Sequence, residues 1–174
     1  TTGSWPTYFM THTTVFLNTN AASANQDQYH HGDHKPTTTQ FSVGNNADVN
    51  ANGGTYIAYC FASIDNYSRV ATYTGNGSAE GTFVHTGFKP AFLLTKSYAQ
   101  ENWEIRDSKR NTYNRTNRAI FPHTTGAEDN GSVDVDFLSN GFKIRTANGS
   151  INASGQVYMF YAVAEEPFKT TRAR

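Results

Sequence analysis

The residues best suited to hold a metal ion lie within one short stretch near the start of the chain. They are His30, His31, Asp33 and His34. Imidazole and carboxylate donors spaced within one loop can close on Zn²⁺, Ni²⁺ or Fe²⁺. A loop rich in Asn, Gln and His is more often simply solvated, and no cysteine or second ligand pair lies near in the sequence. We therefore expect no cofactor, although a symmetric trimer would favour a metal by bringing three such loops together.

A second cluster consists of basic residues and one tyrosine, and the acidic residue within the same stretch is Asp107. It consists of Arg106, Lys109, Arg110, Tyr113, Arg115 and Arg118. Guanidinium groups hold phosphate and carboxylate groups through paired hydrogen bonds, so this cluster is a candidate surface for an anionic glycan. The competing interpretation is a solvated loop or a seam of salt bridges between subunits. We favour this competing interpretation, in either form, over a glycan-binding surface.

Two carboxylates, Asp134 and Asp136, alternate with apolar residues and therefore point the same way from a predicted strand. Paired carboxylates can hydrolyse glycosides or bind Ca²⁺. The solvent face of an antiparallel strand needs polar residues at the same period, and that alone explains them. No nucleophile-elbow pattern brings Ser, His and Asp together. We expect the protein not to be an enzyme.

Composition favours strands and turns over helices. The 174 residues suffice for one or two small domains, and the polar part is dominated by Thr, Asn, Ser and Gly. The formal net charge is zero, so we expect no nucleic acid partner and no attraction to an anionic membrane. No apolar stretch predicts membrane insertion, and we expect a soluble protein. The lone cysteine, Cys60, excludes an intrachain disulfide, and Thr1 in place of Met suggests a cut or processed end.

Two parts of the sequence resemble each other, which indicates an internal repeat. Residues 49–59 align with 151–161 at an offset of 102, and 41–43 answer 142–144. Trp5 answers Trp103 at an offset of 98, and 15–17 loosely answer 119–121. Such self-similarity indicates a repeated structural unit, and equivalent tryptophans favour core positions over sugar-stacking positions.

The two copies differ in completeness. Residues 66–174 form a complete second repeat, whereas residues 1–65 form an incomplete first repeat that lacks any counterpart of 67–100. A unit without its opening strands exposes a sheet edge and a core face. Either an upstream segment or another subunit is expected to complete it, in a homotrimer or a longer parent chain.

The complete copy predicts eight strands separated by Gly-rich and Asn-rich turns. The strands are 69–73, 82–86, 91–96, 103–107, 118–121, 133–138, 142–146 and 157–164. The last is apolar on both faces, which is typical of a central strand. These patterns predict an all-β fold, an antiparallel β-sandwich or jelly-roll-like repeat.

Several long motifs resemble a bacteriophage repeat domain of unassigned function, found towards the C-terminal ends of tail-fibre-like virion proteins. They are the segments 55–62, 73–81, 86–92, 136–143, 167–169 and 172–174. The resemblance covers nearly the whole chain. That family has no established catalytic or ligand residues, so it assigns no site. The first copy departs from it at 30–34 and at Pro6.

The resemblance implies a place and a role. It implies a virion appendage that is assembled in the bacterial cytoplasm, faces outward in the phage particle and contacts other virion subunits. It further implies adhesion to a host surface glycan or protein through many weak contacts. A carbohydrate-binding module with one defined sugar pocket is the alternative, and a polysaccharide depolymerase is a weaker one.

Overall fold

The computed structural model is nearly all β and describes residues 5–9, 13–25, 27–29, 36–111 and 113–167. Within these ranges no helix is long and apolar enough to cross a bilayer. The elements in chain order are β1 Pro6–Phe9, β2 Thr13–Phe16, α1 Ala47–Asn50, β3 Ser68–Thr74, β4 Phe83–His85, β5 Pro90–Ser97, β6 Trp103–Asp107, β7 Thr116–Ala119, β8 Asp129–Leu138, β9 Gly141–Ile144, α2 Gly149–Asn152 and β10 Val157–Ala164.

Strands β3 to β10 form a sandwich of two four-stranded antiparallel sheets. The strand orders are β3-β10-β5-β6 and β4-β9-β8-β7. An isolated backbone bridge connects Ile105 of the edge strand β6 to Ile120, the residue that follows the edge strand β7. The predicted all-β sandwich is confirmed, and each of the eight strands predicted for the second copy is present, with bounds shifted by a few residues at most.

β10 is the central strand of its sheet, as its doubly apolar pattern predicts. It pairs on one edge with β3 and on the other with β5. Tyr158 and Phe160 face the second sheet, where Phe142 meets Phe160 edge to face at 5.3 Å. Alternate residues point the other way, and Met159 belongs to a separate apolar cluster there. Both faces and both edges of β10 are therefore covered.

The hairpin β1–β2 from the first copy covers this outer face. Val15 packs in one buried cluster with Trp103 and Met159. The indole Nε1 of Trp103 donates a hydrogen bond to the Phe16 carbonyl at 2.8 Å. The first copy therefore stabilises the second through burial and through a partner for an indole N–H that burial would otherwise leave without one.

A compact turn, residues 148–158, precedes and begins β10. Asn148 caps α2 by accepting from the Ser150 amide, and the Tyr158 hydroxyl donates to the Gly149 carbonyl at 2.6 Å while accepting from the Ala153 amide. Gly155 adopts a φ of 73°, the left-handed region that favours glycine. We call residues 148–158 the second asparagine-capped turn.

Residues 46–56 form the same structure in the first copy, and we call them the first asparagine-capped turn. Asn46 caps α1 by accepting from the Asp48 amide, and the Tyr56 hydroxyl donates to Ala47 and accepts from Ala51. Gly53 has the same φ of 73° as its counterpart Gly155. The sequence repeat is thus also a repeat of hydrogen bonds, residue for residue.

The counterparts Asn50 and Asn152 provide a matched stability test. Asn152 is fully buried and its side chain bonds Asn76, Ser78 and Thr146. Asn50 is exposed and bonds Gly44. Asn152→Ala leaves several buried groups without partners and is expected to lower the free energy of unfolding by about 3 kcal/mol. Asn50→Ala is expected to lower it by less than about 1 kcal/mol.

Urea unfolding of both variants measures the difference. Equal losses would mean that the two turns sit in equivalent surroundings, which would contradict the structure.

Candidate functional site

The predicted metal-binding residues His30, His31, Asp33 and His34 lie outside the described residues. Among the residues that are described, no three His, Cys, Asp or Glu side chains come together in a way that could hold a metal ion.

Arg106 does not belong to a surface, and its assignment to the basic cluster was wrong. Its side chain is fully buried and its Nη1 contacts Glu104 Oε2 at 2.5 Å. In the β5–β6 ladder Arg106 lies opposite Leu93, a residue of the main core. Directly opposed residues point to the same face of a sheet, so the ion pair lies between the two sheets.

The buried ion pair is only partly satisfied. Arg106 Nε and Nη2 have no hydrogen-bond partner among the described residues. The ring of Tyr73 stacks on that of Tyr158, with 5.0 Å between the ring centroids. Burial raises the pKa of Tyr73 well above its usual value, and Tyr158 raises it further. The two charges of the pair have opposite effects on the pKa of Tyr73, since Glu104 raises it and Arg106 lowers it. This polar group inside an apolar core is a feature that the sequence analysis missed.

The other arginines of the basic cluster are neutralised by acids on nearby strands and loops. Arg110 contacts Asp107 and Glu128, each at 2.6 Å, and Arg118 reaches Glu128 at 3.3 Å. Arg115 pairs with Asp134. We call these ion pairs the arginine seam.

Hydrogen bonds within the arginine seam favour the charged guanidinium form. The bond to Glu128 raises the pKa of Arg110, and the bond to Asp134 raises that of Arg115. Lys109 lies in the turn after β6, where its amide bonds Asp107, and the Tyr113 side chain is 84% exposed. The arginine seam is therefore a charge-balanced surface formed by ion pairs within one chain, with one exposed tyrosine in the same stretch; the predicted salt bridges between subunits remain a prediction.

Asp134 and Asp136 lie on one face of β8, and each is paired with an arginine. Asp134 binds Arg115, and Asp136 contacts Arg145 Nε at 2.7 Å. Arg145 also reaches Glu80 at 3.2 Å. These ion pairs join separate segments across the sheet and agree with the structural interpretation of the alternating pattern.

Lys96 is a buried amine with a lowered pKa. Burial lowers the pKa of this side chain from 10.5 to about 8, against the opposing effect of Glu101. Its Nζ donates to the carbonyl oxygens of Ser97 at 2.7 Å and Ala99 at 2.9 Å. These hydrogen bonds connect the buried amine to the backbone at the end of β5 and in the turn that follows it, and they stabilise that end of the strand.

A shallow cleft lies beside Gly87 and Phe88, with Lys89 and Glu165 among its lining residues. These two side chains pair with one another at 2.6 Å. Their charges neutralise each other within the protein. The cleft offers little apolar surface to a ligand.

The two tryptophans occupy different environments. Trp103 is buried, as predicted, whereas Trp5 is 62% exposed, so the core prediction was wrong for Trp5 in this chain. Trp103 owes its burial to β2 of the preceding copy. Among the described residues no strand stands in the same relation to Trp5.

The first copy also exposes other residues whose counterparts build the core of the second. Ile57 is 79% exposed, whereas its counterpart Met159 is buried. Phe41 and Val43 are exposed, whereas Phe142 and Ile144 are fully buried. We call residues 41–62 the open half-unit. Within it, residues 55–62 form no ladder with a described strand, although they match β10 at an offset of 102.

The sequence contains a signal for the asparagine-capped turns that the predictions did not use. The match at an offset of 102 extends three residues upstream of Val49, to Asn46 and Asn148. An asparagine followed by a short polar-apolar run is a typical helix cap. By contrast, no local pattern identifies Glu104 and Arg106 as buried.

The fold defines an all-β sandwich module. The chain belongs to the family DUF7483, a domain of unknown function, whose model matches residues 5–167. No curated protein and no solved structure matches the chain.

The buried ion pair makes a prediction about stability. Glu104→Gln leaves the Arg106 charge unpaired between the sheets and is expected to lower the free energy of unfolding by about 3 kcal/mol. Replacing both residues, Glu104→Leu with Arg106→Met, removes both charges and is expected to restore most of that loss. Glu128→Gln, in the exposed seam, serves as the control and should cost less than about 1 kcal/mol.

Urea unfolding monitored by tryptophan fluorescence compares the four proteins. A Glu104→Gln variant as stable as the Glu128→Gln control would show that Glu104 does not compensate a buried charge.

Proposed function

We propose that this chain is a non-enzymatic structural and adhesive module of a phage virion, in the distal C-terminal part of a tail fibre or a similar appendage. In this role it assembles with other virion subunits, as a homotrimer or a larger assembly, and contacts the host cell surface. The resemblance of its long motifs to phage repeat domains supports the virion context.

The observation that carries the structural role is the contact between the two copies. The hairpin of the first copy covers Trp103 of the second and accepts a hydrogen bond from its indole. Because Trp5 is the counterpart of Trp103, a preceding unit would cover it in the same way. Units that contact their neighbours through one repeated surface build an elongated array.

The surface chemistry supports the adhesive role. The candidate acids Asp134 and Asp136 are engaged with arginines, which supports a role other than acid–base catalysis. Tyr113 is exposed and lies two residues before Arg115 of the arginine seam. An exposed aromatic ring can contact sugars or peptides weakly, and many copies of a weak contact hold a particle on a cell.

Tyr113 also supports the second candidate, a carbohydrate-binding module with one defined pocket. The two candidates differ in their response to one change. In the module, Tyr113→Ala abolishes binding of a single glycan class on a glycan array and Tyr113→Phe retains it. Under multivalent adhesion, the isolated chain shows no such selective binding.

The virion role predicts that the chain is a component of purified phage particles. Mass spectrometry of gradient-purified particles should find it in several copies per particle, and gold-labelled antibodies against it should decorate an appendage. A non-structural protein of the same phage, abundant in the lysate, is the control for carry-over. If the chain is removed with that control during purification, the proposal is wrong.

A further inference from the structure

Residues 55–62 of the open half-unit have the apolar composition of a central strand, but they are exposed and form no ladder with a described strand. Residues 55–62 match β10, yet Tyr59 is 80% exposed and Ile57 nearly as much. The backbone N–H and C=O groups of such a segment can pair with added strands, and its apolar side chains gain from burial. The segment thus has both requirements for β-strand addition.

The complete unit shows what occupies the corresponding place there. β10 is paired on one edge with β3 and on the other with β5, so that Tyr158 lies between Tyr73 and Ser97. Phe160 likewise lies between Ala71 and Thr95. Residues 67–100, which supply both neighbours, are the part of the repeat without a counterpart in the first copy.

The asparagine-capped turns supply a second, independent match. In the complete unit, Asn152 exchanges amide hydrogen bonds with Asn76 and donates to the Ser78 carbonyl. Gly75 approaches so closely that a Cβ there would lie 2.3 Å from the Ala153 carbonyl oxygen. The first asparagine-capped turn already has the same conformation, with Asn50 exposed in the position of Asn152. The first asparagine-capped turn therefore already has the conformation that binds the Gly-Asn-Gly-Ser turn, residues 75–78, in the complete unit.

We infer that the open half-unit is a binding site for the opening half of a repeat unit. The ligand is a polypeptide segment that carries equivalents of β3, β4 and β5 and the turn that joins the first two. It completes a second sandwich around residues 55–62. The site is a property of the chain itself and does not depend on the virion role.

The occupant is an opening half-unit joined to the same polypeptide ahead of Trp5. In the complete unit, β5 ends at Ser97 and β6 begins at Trp103, so the opening half runs directly into the tryptophan strand. Trp5 is the counterpart of Trp103, so an equivalent opening half would run into Trp5. A second copy of this chain is a poorer occupant, since its β3 and β5 are already paired with its own β10.

The lone cysteine reports directly on occupancy. Cys60 is exposed and free, whereas its counterpart Ala162 is fully buried between Arg69 and Leu93. A thiol at this position becomes inaccessible when strands close on both sides. Its reaction rate with a thiol reagent therefore measures how much of the site is filled.

The test joins a copy of residues 67–100 directly ahead of Gly3, the spacing that the offset of 98 between Trp5 and Trp103 gives. In this tandem chain the Cys60 thiol is expected to react at least about 100-fold more slowly than in the original chain. Amide hydrogen exchange at residues 56–62 should slow by a similar factor. Equal rates in the two chains would overturn the inference.

Two matched variants test the site itself. Ala58→Asp places a charge at the counterpart of the buried Phe160 and should restore fast thiol reaction in the tandem chain. Asn45→Asp adds the same charge at a position that is exposed in both copies and should leave the reaction slow. In the original chain neither variant should change the midpoint of urea unfolding.

A synthetic peptide of residues 67–100, added to the original chain, covers the case in which the tandem chain aggregates. Slowing of the Cys60 reaction that saturates with peptide concentration supports the inference, and no slowing at millimolar peptide contradicts it. The original chain is also measured without peptide at several protein concentrations. If its Cys60 reaction becomes slower as the protein concentration rises, a second copy fills the site, and the inference is overturned.

Discussion

The structure depends on the pairing of β10 along both of its edges. A central strand satisfies its backbone polar groups only when neighbours lie on both sides, and one that is apolar on both faces also needs cover above and below. In the second copy β3 and β5 supply the edges, the opposite sheet covers the inner face, and the hairpin of the first copy covers part of the outer face. Where these neighbours are absent, in the first copy, the matching segment is exposed.

The conformation of the two asparagine-capped turns depends on neighbouring residues, whereas the pairing of the strands depends on residues far away in the sequence. The two asparagine-capped turns have the same caps, the same tyrosine contacts and the same glycine φ, although only one is enclosed in a sandwich. Their conformation thus follows from the residues between Asn46 and Tyr56, or Asn148 and Tyr158, alone. Strand pairing depends on residues far away in sequence.

Much of the fold could be predicted from the sequence because strands and turns have local signals. The alternation in β8 and the double apolarity of β10 located both correctly. The sequence places Arg106 in a run of basic residues that is typical of a surface, and charged residues are rarely fully buried. In β6 the period of two places Trp103 and Ile105 on one face and Glu104 and Arg106 on the other. Since the hairpin covers the tryptophan face, the charged face is the one turned towards the core. That outcome depends on packing between distant segments, which the local pattern does not contain.

The open half-unit is expected to become a second sandwich when an opening half-unit is joined to it. An experimental structure of a polypeptide in which such a segment precedes Trp5 tests this most directly. In that structure, residues 55–62 are expected to form a central strand, hydrogen-bonded along both edges, with Asn50 bound to the turn of the added segment. Residues 55–62 unpaired, or paired along one edge at the rim of a sheet, would contradict it.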